Sequence, residues 1–119
     1  MTDGASIDAA ALERLLEITG DDVSFVDELI DTYLDDAIVQ LEAMREAAAA
    51  GDAVAIVRPA HSLKSSSANV GAVVLASLSR ALEADAGTGA VPDAVARVAA
   101  AEREFDLVRT SLLETRSTH

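Results

Sequence analysis

The sequence predicts an all-α protein, an antiparallel up-and-down four-helix bundle with a short extra helix at its N-terminus. Three observations predict it. Ala, Leu, Glu and Arg are abundant, and only two Pro and six Gly punctuate 119 residues. Apolar residues recur at i, i+3, i+4 and i+7 over long stretches, the signature of amphipathic helices. The breaks between these stretches are short, and short connections make sequential helices antiparallel neighbours.

The elements follow in order. Ser6 is placed to cap a short helix through Leu12, Leu15, Leu16 and Ile18, which Gly20 closes. Asp21 or Asp22 caps a long one. Its apolar stripe runs Val26, Leu29, Ile30, Tyr33, Leu34, Ala37, Ile38, Leu41, Met44 and Ala48, and Gly51 ends it. Asp52 caps a third helix, expected to run to about Val70 before Gly71. Inside it Pro59 removes one backbone hydrogen bond, so a kink is expected two residues before His61. The fourth helix carries Val74, Leu75, Leu78 and Leu82 and stops near Gly87 and Gly89. Pro92 suits the start of the last helix, which carries Val95, Val98, Phe105, Val108, Leu112 and Leu113. The tail from Thr115 to His119 is expected to fray. With no repeat and no linker, residues 1–119 read as a single domain with its core over about 7–113.

Composition excludes several functions. The net charge is −12, which disfavours nucleic acid and anionic membranes as partners. The absence of Cys removes disulfides, thiolate metal sites and a thiol nucleophile. One Tyr, two Phe and no Trp make a base-stacking platform improbable. No apolar run approaches the roughly 20 residues that span a bilayer, and no basic-then-apolar leader opens the chain. A monomer in the cytoplasm is the expectation. The charge is also uneven. Residues 1–52 hold fourteen of the 21 acidic residues, whereas 53–82 hold none and contain Arg58, His61, Lys64 and Arg80. Such a segment is either buried core or a surface meant to meet an anion.

That segment carries the chemistry. On a helix, His61, Lys64, Ser65 and Ala68 stand at i, i+3, i+4 and i+7 and share one face. Ala60, Leu63, Ser67 and Val70 fall on another face that suits the core. His61 then points outward among small neighbours that leave its imidazole open, with Lys64 placed to meet phosphate oxygens. Gly71 reads as the turn of a helical hairpin. His61 lies ten residues before it and Glu83 twelve after it, so the two sit at similar height. A carboxylate accepting from Nδ1–H would leave Nε2 with its lone pair outward and would stabilise a positive ring. By the same count Arg80 sits near the height of Lys64. The plainer reading of Glu83 is an ordinary salt bridge, with Arg80 as the partner.

The stretch His61-Ser62-Leu63-Lys64-Ser65-Ser66-Ser67-Ala68-Asn69-Val70-Gly71-Ala72 resembles the signature of histidine-containing phosphotransfer (HPt) domains. That pattern has His, Lys at +3, Gly at +4, Ser or Ala following, and an aliphatic-Gly pair at +9 and +10. Phe25 through Leu34, Gly51-Asp52 and Leu82-Glu83 resemble the same family, so the likeness covers roughly residues 7–113. The resemblance implies a carrier in a two-component phosphorelay rather than an enzyme. His61 would accept a phosphoryl group from the aspartyl phosphate of one receiver domain and pass it to another. Lys64 would assist that group and Glu83 would orient the imidazole. Arg58, Ser65, Ala68 and Arg80 would lie on the face that meets response-regulator receivers or a hybrid sensor histidine kinase. Such domains bring no metal and no cofactor, because the Mg²⁺ belongs to the receiver. The departure is Ser65, where the family has Gly, and it bears on transfer rate or partner choice.

Rival chemistries fail on content. The Ser-x-x-Lys pattern of acyl-transfer enzymes would need Ser where His61 stands. A di-iron bundle would need Glu where Arg58 stands. The acidic pairs Asp21-Asp22 and Asp35-Asp36 lack the Gly and terminal Glu of a calcium loop. The alternative that remains is an HPt-like helical adaptor that binds a receiver or kinase domain without being phosphorylated.

Overall fold

The computed structural model describes residues 23–117 together with Arg14 and Glu17. The expected N-terminal helix, its cap Ser6 and the cap Asp21 or Asp22 lie outside the described residues. Within them the architecture is four long helices: α1 (Val23–Ala49), α2 (Val57–Asn69), α3 (Val73–Gly87) and α4 (Ala94–Ser117), with a 3-10 turn at Val54–Ile56 leading into α2. Each helix packs on the one before it and α4 returns to α1, so the four close into a ring. The direction of α4 against α1 is fixed by two ion pairs. Asp31 meets Arg116 at 3.0 Å and Arg45 meets Glu102 at 3.4 Å, so residue numbers run oppositely along the pair. Among the described residues no helix is long and apolar enough to cross a membrane.

The helices bury the stripes that the periodicity marks. Val26, Ile30, Tyr33, Leu34, Ala37, Leu41, Met44, Ala47 and Ala48 of α1 are all buried. Ile38 is 40% exposed, because it follows Ala37 by about 100° of helical rotation and falls on the rim of the stripe. In α4 the buried positions are Val98, Ala101, Phe105, Val108 and Leu112, a spacing of three and four residues. Val95 and Leu113 stand beside that stripe and are exposed. On α3, Leu75 and Leu82 are buried while Val74 and Leu78 flank them half-buried.

The two turns around α2 share one device. Gly51 and Gly71 have φ of 70° and 80°, the left-handed region where a Cβ is disfavoured. After each, the next residue's N–H reaches back five positions. Asp52 bonds the Ala47 carbonyl at 2.9 Å, and Ala72 bonds that of Ser67 at 2.8 Å. Asp52 also caps the 3-10 turn, its Oδ1 accepting from the Ala55 N–H at 3.2 Å.

Three boundaries differ from expectation. The third helix is not continuous from Asp52. It begins as a 3-10 turn and becomes α-helical at Val57, which places Pro59 in the first turn of α2. Proline has no N–H to give there and the first turn has no use for one, so the ring sits buried at little cost. The expected mid-helix kink is thus a helix start. Pro92 lies two residues before α4 rather than inside its first turn. Asp93 at φ 54° makes the entry, and its carbonyl accepts from the Arg97 N–H at 2.9 Å. At the other end α4 continues through Ser117, beyond the point where fraying was expected, with Arg116 held by both Oδ atoms of Asp31.

Candidate functional site

The site is built on the α2–α3 hairpin. Ala60, Leu63 and Ser67 of α2 are fully buried and Val70 nearly so, which fixes the rotation of the helix about its axis. Ser67 adds a polar tie, because its Oγ lies 2.8 Å from the Tyr33 hydroxyl of α1. Burial, only partly offset by this bond, pushes the Tyr33 phenol up to about 12. With that side of α2 anchored, His61, Ser65 and Ala68 turn to solvent and Lys64 is half-buried beside them. Arg58, one turn before His61, is exposed on the same side.

The Gly71 turn then sets α3 against α2 at the register that the residue count suggests. Glu83 is the meeting point. Its Oε2 lies 2.7 Å from His61 Nδ1, and its Oε1 lies 2.8 Å from Lys64 Nζ. A carboxylate only accepts, so Nδ1 carries the proton and donates it to Glu83. In the neutral imidazole the other ring nitrogen, Nε2, then holds the lone pair. The His61 side chain is 60% exposed while that of Glu83 is 23% exposed, so the imidazole faces water and the carboxylate sits behind it. The hydrogen bond from Lys64 and, second, that from His61 hold the Glu83 carboxyl below the ordinary glutamate range. The anion that orients the ring is therefore ionised at neutral pH.

The salt bridge between Glu83 and Arg80 does not form. Among the described residues neither Arg80 nor Arg58 is paired with a carboxylate. Arg80 instead lines a groove of about 360 Å³ between α2 and α3, together with Lys64, Ala68, Val73, Ser77 and Arg14. Arg14 was not singled out from the sequence, because nothing local links it to a helix pair some fifty residues on. Ser65 is exposed beside His61, and its hydroxyl makes no hydrogen bond to a described residue. The acid-free segment is thus both things at once. One side of its helices is core, and the other is a surface with Arg58, Lys64 and Arg80 around an accessible imidazole.

A helical bundle that displays an exposed histidine, its inner nitrogen held by a carboxylate, suits the class of phosphoryl carriers. The sequence places the chain within that class. The family model for the Hpt domain matches residues 28–116, and the protein belongs to this family. The crystal structure of histidine-containing phosphotransfer protein B from Pseudomonas aeruginosa PAO1 is similar to it, at 34% sequence identity and a TM-score of 0.89. That match covers 98% of this chain and 99% of the other. None of the curated proteins matches the chain significantly.

Proposed function

We propose that this protein carries a phosphoryl group on His61 between aspartates of receiver domains in a two-component phosphorelay. The observation that supports this most is the His61–Glu83 hydrogen bond of 2.7 Å beneath an exposed ring. It supplies what a nucleophilic imidazole needs, a fixed tautomer with the outer lone pair free. In the forward step the Nε2 lone pair attacks the phosphorus of an aspartyl phosphate. The P–N bond forms, the P–O bond breaks, and the aspartate leaves as carboxylate. The Nδ1 proton stays in place, so the ring gains positive charge against the Glu83 carboxylate, which stabilises it. Transfer to the next receiver reverses these bonds.

Lys64 would neutralise phosphoryl oxygens, and the face formed by Arg58, Ser65, Ala68 and Arg80 would dock the receiver or a hybrid sensor kinase. The absence of carboxylates from 53–82 avoids repulsion with an acidic receiver pocket. In this reading residues 1–119 act as one domain, monomeric and cytoplasmic, and a carrier without nucleotide-dependent catalysis of its own. Ser65, where the family has Gly, adds a hydroxyl next to His61 and tunes rate or partner choice.

Exposure to phosphoramidate or to a phosphorylated receiver tests the proposal. An acid-labile adduct on the intact protein, absent from His61→Gln, is the expected outcome. No adduct, under conditions that load another HPt domain, would overturn it and leave the bundle an adaptor. An adduct that persists in His61→Gln would move the acceptor elsewhere.

A further inference from the structure

Lys64 is the single lysine of the chain, and its ammonium is not free to wait for a phosphoryl group. It lies 2.8 Å from Glu83 Oε1, while Oε2 of the same carboxylate takes the His61 Nδ1–H at 2.7 Å. One carboxylate therefore does two jobs, orienting the nucleophile and occupying the cation that the incoming phosphoryl needs. We propose that Lys64 exchanges partners during transfer: Glu83 holds it while His61 is empty and releases it to the phosphoryl group once Nε2 is loaded. The inference rests on the phosphoryl-carrier reading of His61 given above.

Three physical points carry it. Lys64 stands one turn from His61 on the same helix, so its four-carbon stem reaches either acceptor without moving the backbone. The Lys64 and Glu83 side chains are 30% and 23% exposed, and a solvated pair of this kind exchanges readily. The competitor is the stronger anion, with three oxygens and close to two negative charges against one carboxylate charge already shared with the ring. Before loading, the charges of Lys64 and Glu83 cancel beside the imidazole. After loading, the phosphoryl charge draws the cation outward. The carboxylate then faces the Nδ1–H alone, where it stabilises a ring that carries positive charge. Glu83 thus acts as a positioning residue in two ways, and it restrains loading to the extent that it competes for Lys64.

The proposal separates Glu83 from a glutamine at the same place. Glu83→Gln keeps an oxygen to accept the Nδ1–H but has no charge to retain Lys64. The test is a double-mutant cycle on the rate of loading by phosphoramidate. In that reaction the Nε2 lone pair displaces ammonia from phosphorus, with the N–P bond of the reagent breaking as the new one forms. Lys64→Ala is made in the wild-type protein and in Glu83→Gln. Partner exchange requires Lys64→Ala to slow loading more in the Glu83→Gln background than in wild type, by about two- to five-fold, the range of an exposed ion pair. Equal factors in the two backgrounds, as when Arg80 or Arg58 serves the phosphoryl group instead, would overturn it.

Selective ¹⁵N labelling of lysine gives one side-chain ammonium signal, from Lys64. That signal should move on loading of wild type. A signal that stays at its unloaded position would also overturn the exchange. If wild type takes up no phosphoryl group at all, the carrier reading fails and this inference with it. If it loads but the cycle shows no coupling, the exchange alone fails.

Discussion

The Tyr33–Ser67 bond offers the sharpest test of how the core fixes the site. Both groups are buried, Tyr33 at 5% exposure and Ser67 at 0%, and their oxygens lie 2.8 Å apart between α1 and α2. Ser67→Ala removes one partner and little volume, and it leaves the Tyr33 hydroxyl buried without that partner. The expected cost is about 1–3 kcal/mol, the desolvation penalty of an orphaned polar group. Tyr33→Phe should cost less, about 1 kcal/mol, because the Ser67 hydroxyl can turn back to a carbonyl of its own helix. The double variant removes both groups together, so its cost should fall below the sum of the singles by about 1 kcal/mol. Urea unfolding followed by far-ultraviolet circular dichroism reads this directly. With a slope of about 2 kcal/mol/M, a loss of 2 kcal/mol moves the midpoint by roughly 1 M. Additive single costs, or a Ser67→Ala midpoint equal to wild type, would refute the claim that this bond ties α2 to α1.

Other outcomes rest on the same geometry. Tyr33 has its phenol raised to about 12 by burial, against an ordinary value of 10.0. A neutral acid held above its unfolded value stabilises the fold below pH 10 and loses that contribution as pH climbs from 10 towards 12, about 1.4 kcal/mol per unit. Stability of wild type should therefore drop in that window relative to Tyr33→Phe, and parallel curves would contradict it. Gly51 has φ of 70° with open space around it, so Gly51→Ala should cost about 1–2 kcal/mol by backbone strain alone. Gly87, at the end of α3 with ordinary φ and equally open space, should gain up to about 1 kcal/mol on Gly87→Ala. Thermal melts of the two should shift in opposite directions. Leu75→Ala, at a fully buried site, should cost about 2–5 kcal/mol and unfold the protein at lower urea, and a cost under 1 kcal/mol would mean the site collapses freely.

Much of this protein is legible along the chain because helix periodicity is a local property. The stripe on α1, the buried set Ala60, Leu63, Ser67 and Val70, and the outward His61 all follow from a repeat of 3.6 residues. The opposition of Glu83 to His61 also comes from counting, since a tight turn at Gly71 equates distance from the turn with height along the hairpin. The structure departs from that pattern where one residue of rotation matters, as with Ile38 at the rim of its stripe, or where two helical forms compete, as with Pro59 at the junction of the 3-10 turn and α2.

The helices, the faces they bury and the outward-facing histidine can thus be read along the chain alone, because each depends on neighbours within a turn or two. The cation that Glu83 takes cannot. Lys64 and Arg80 stand at similar height on the hairpin, and side-chain direction across the α2–α3 contact selects Lys64 and leaves Arg80 to the groove with Arg14. The Tyr33–Ser67 bond is of the same kind, joining residues 34 positions apart through the packing angle of two helices. Spacing places a residue on a face. Which partner its terminal atoms reach depends on rotamers and on the distance between helices, and these are set only when all four helices pack together.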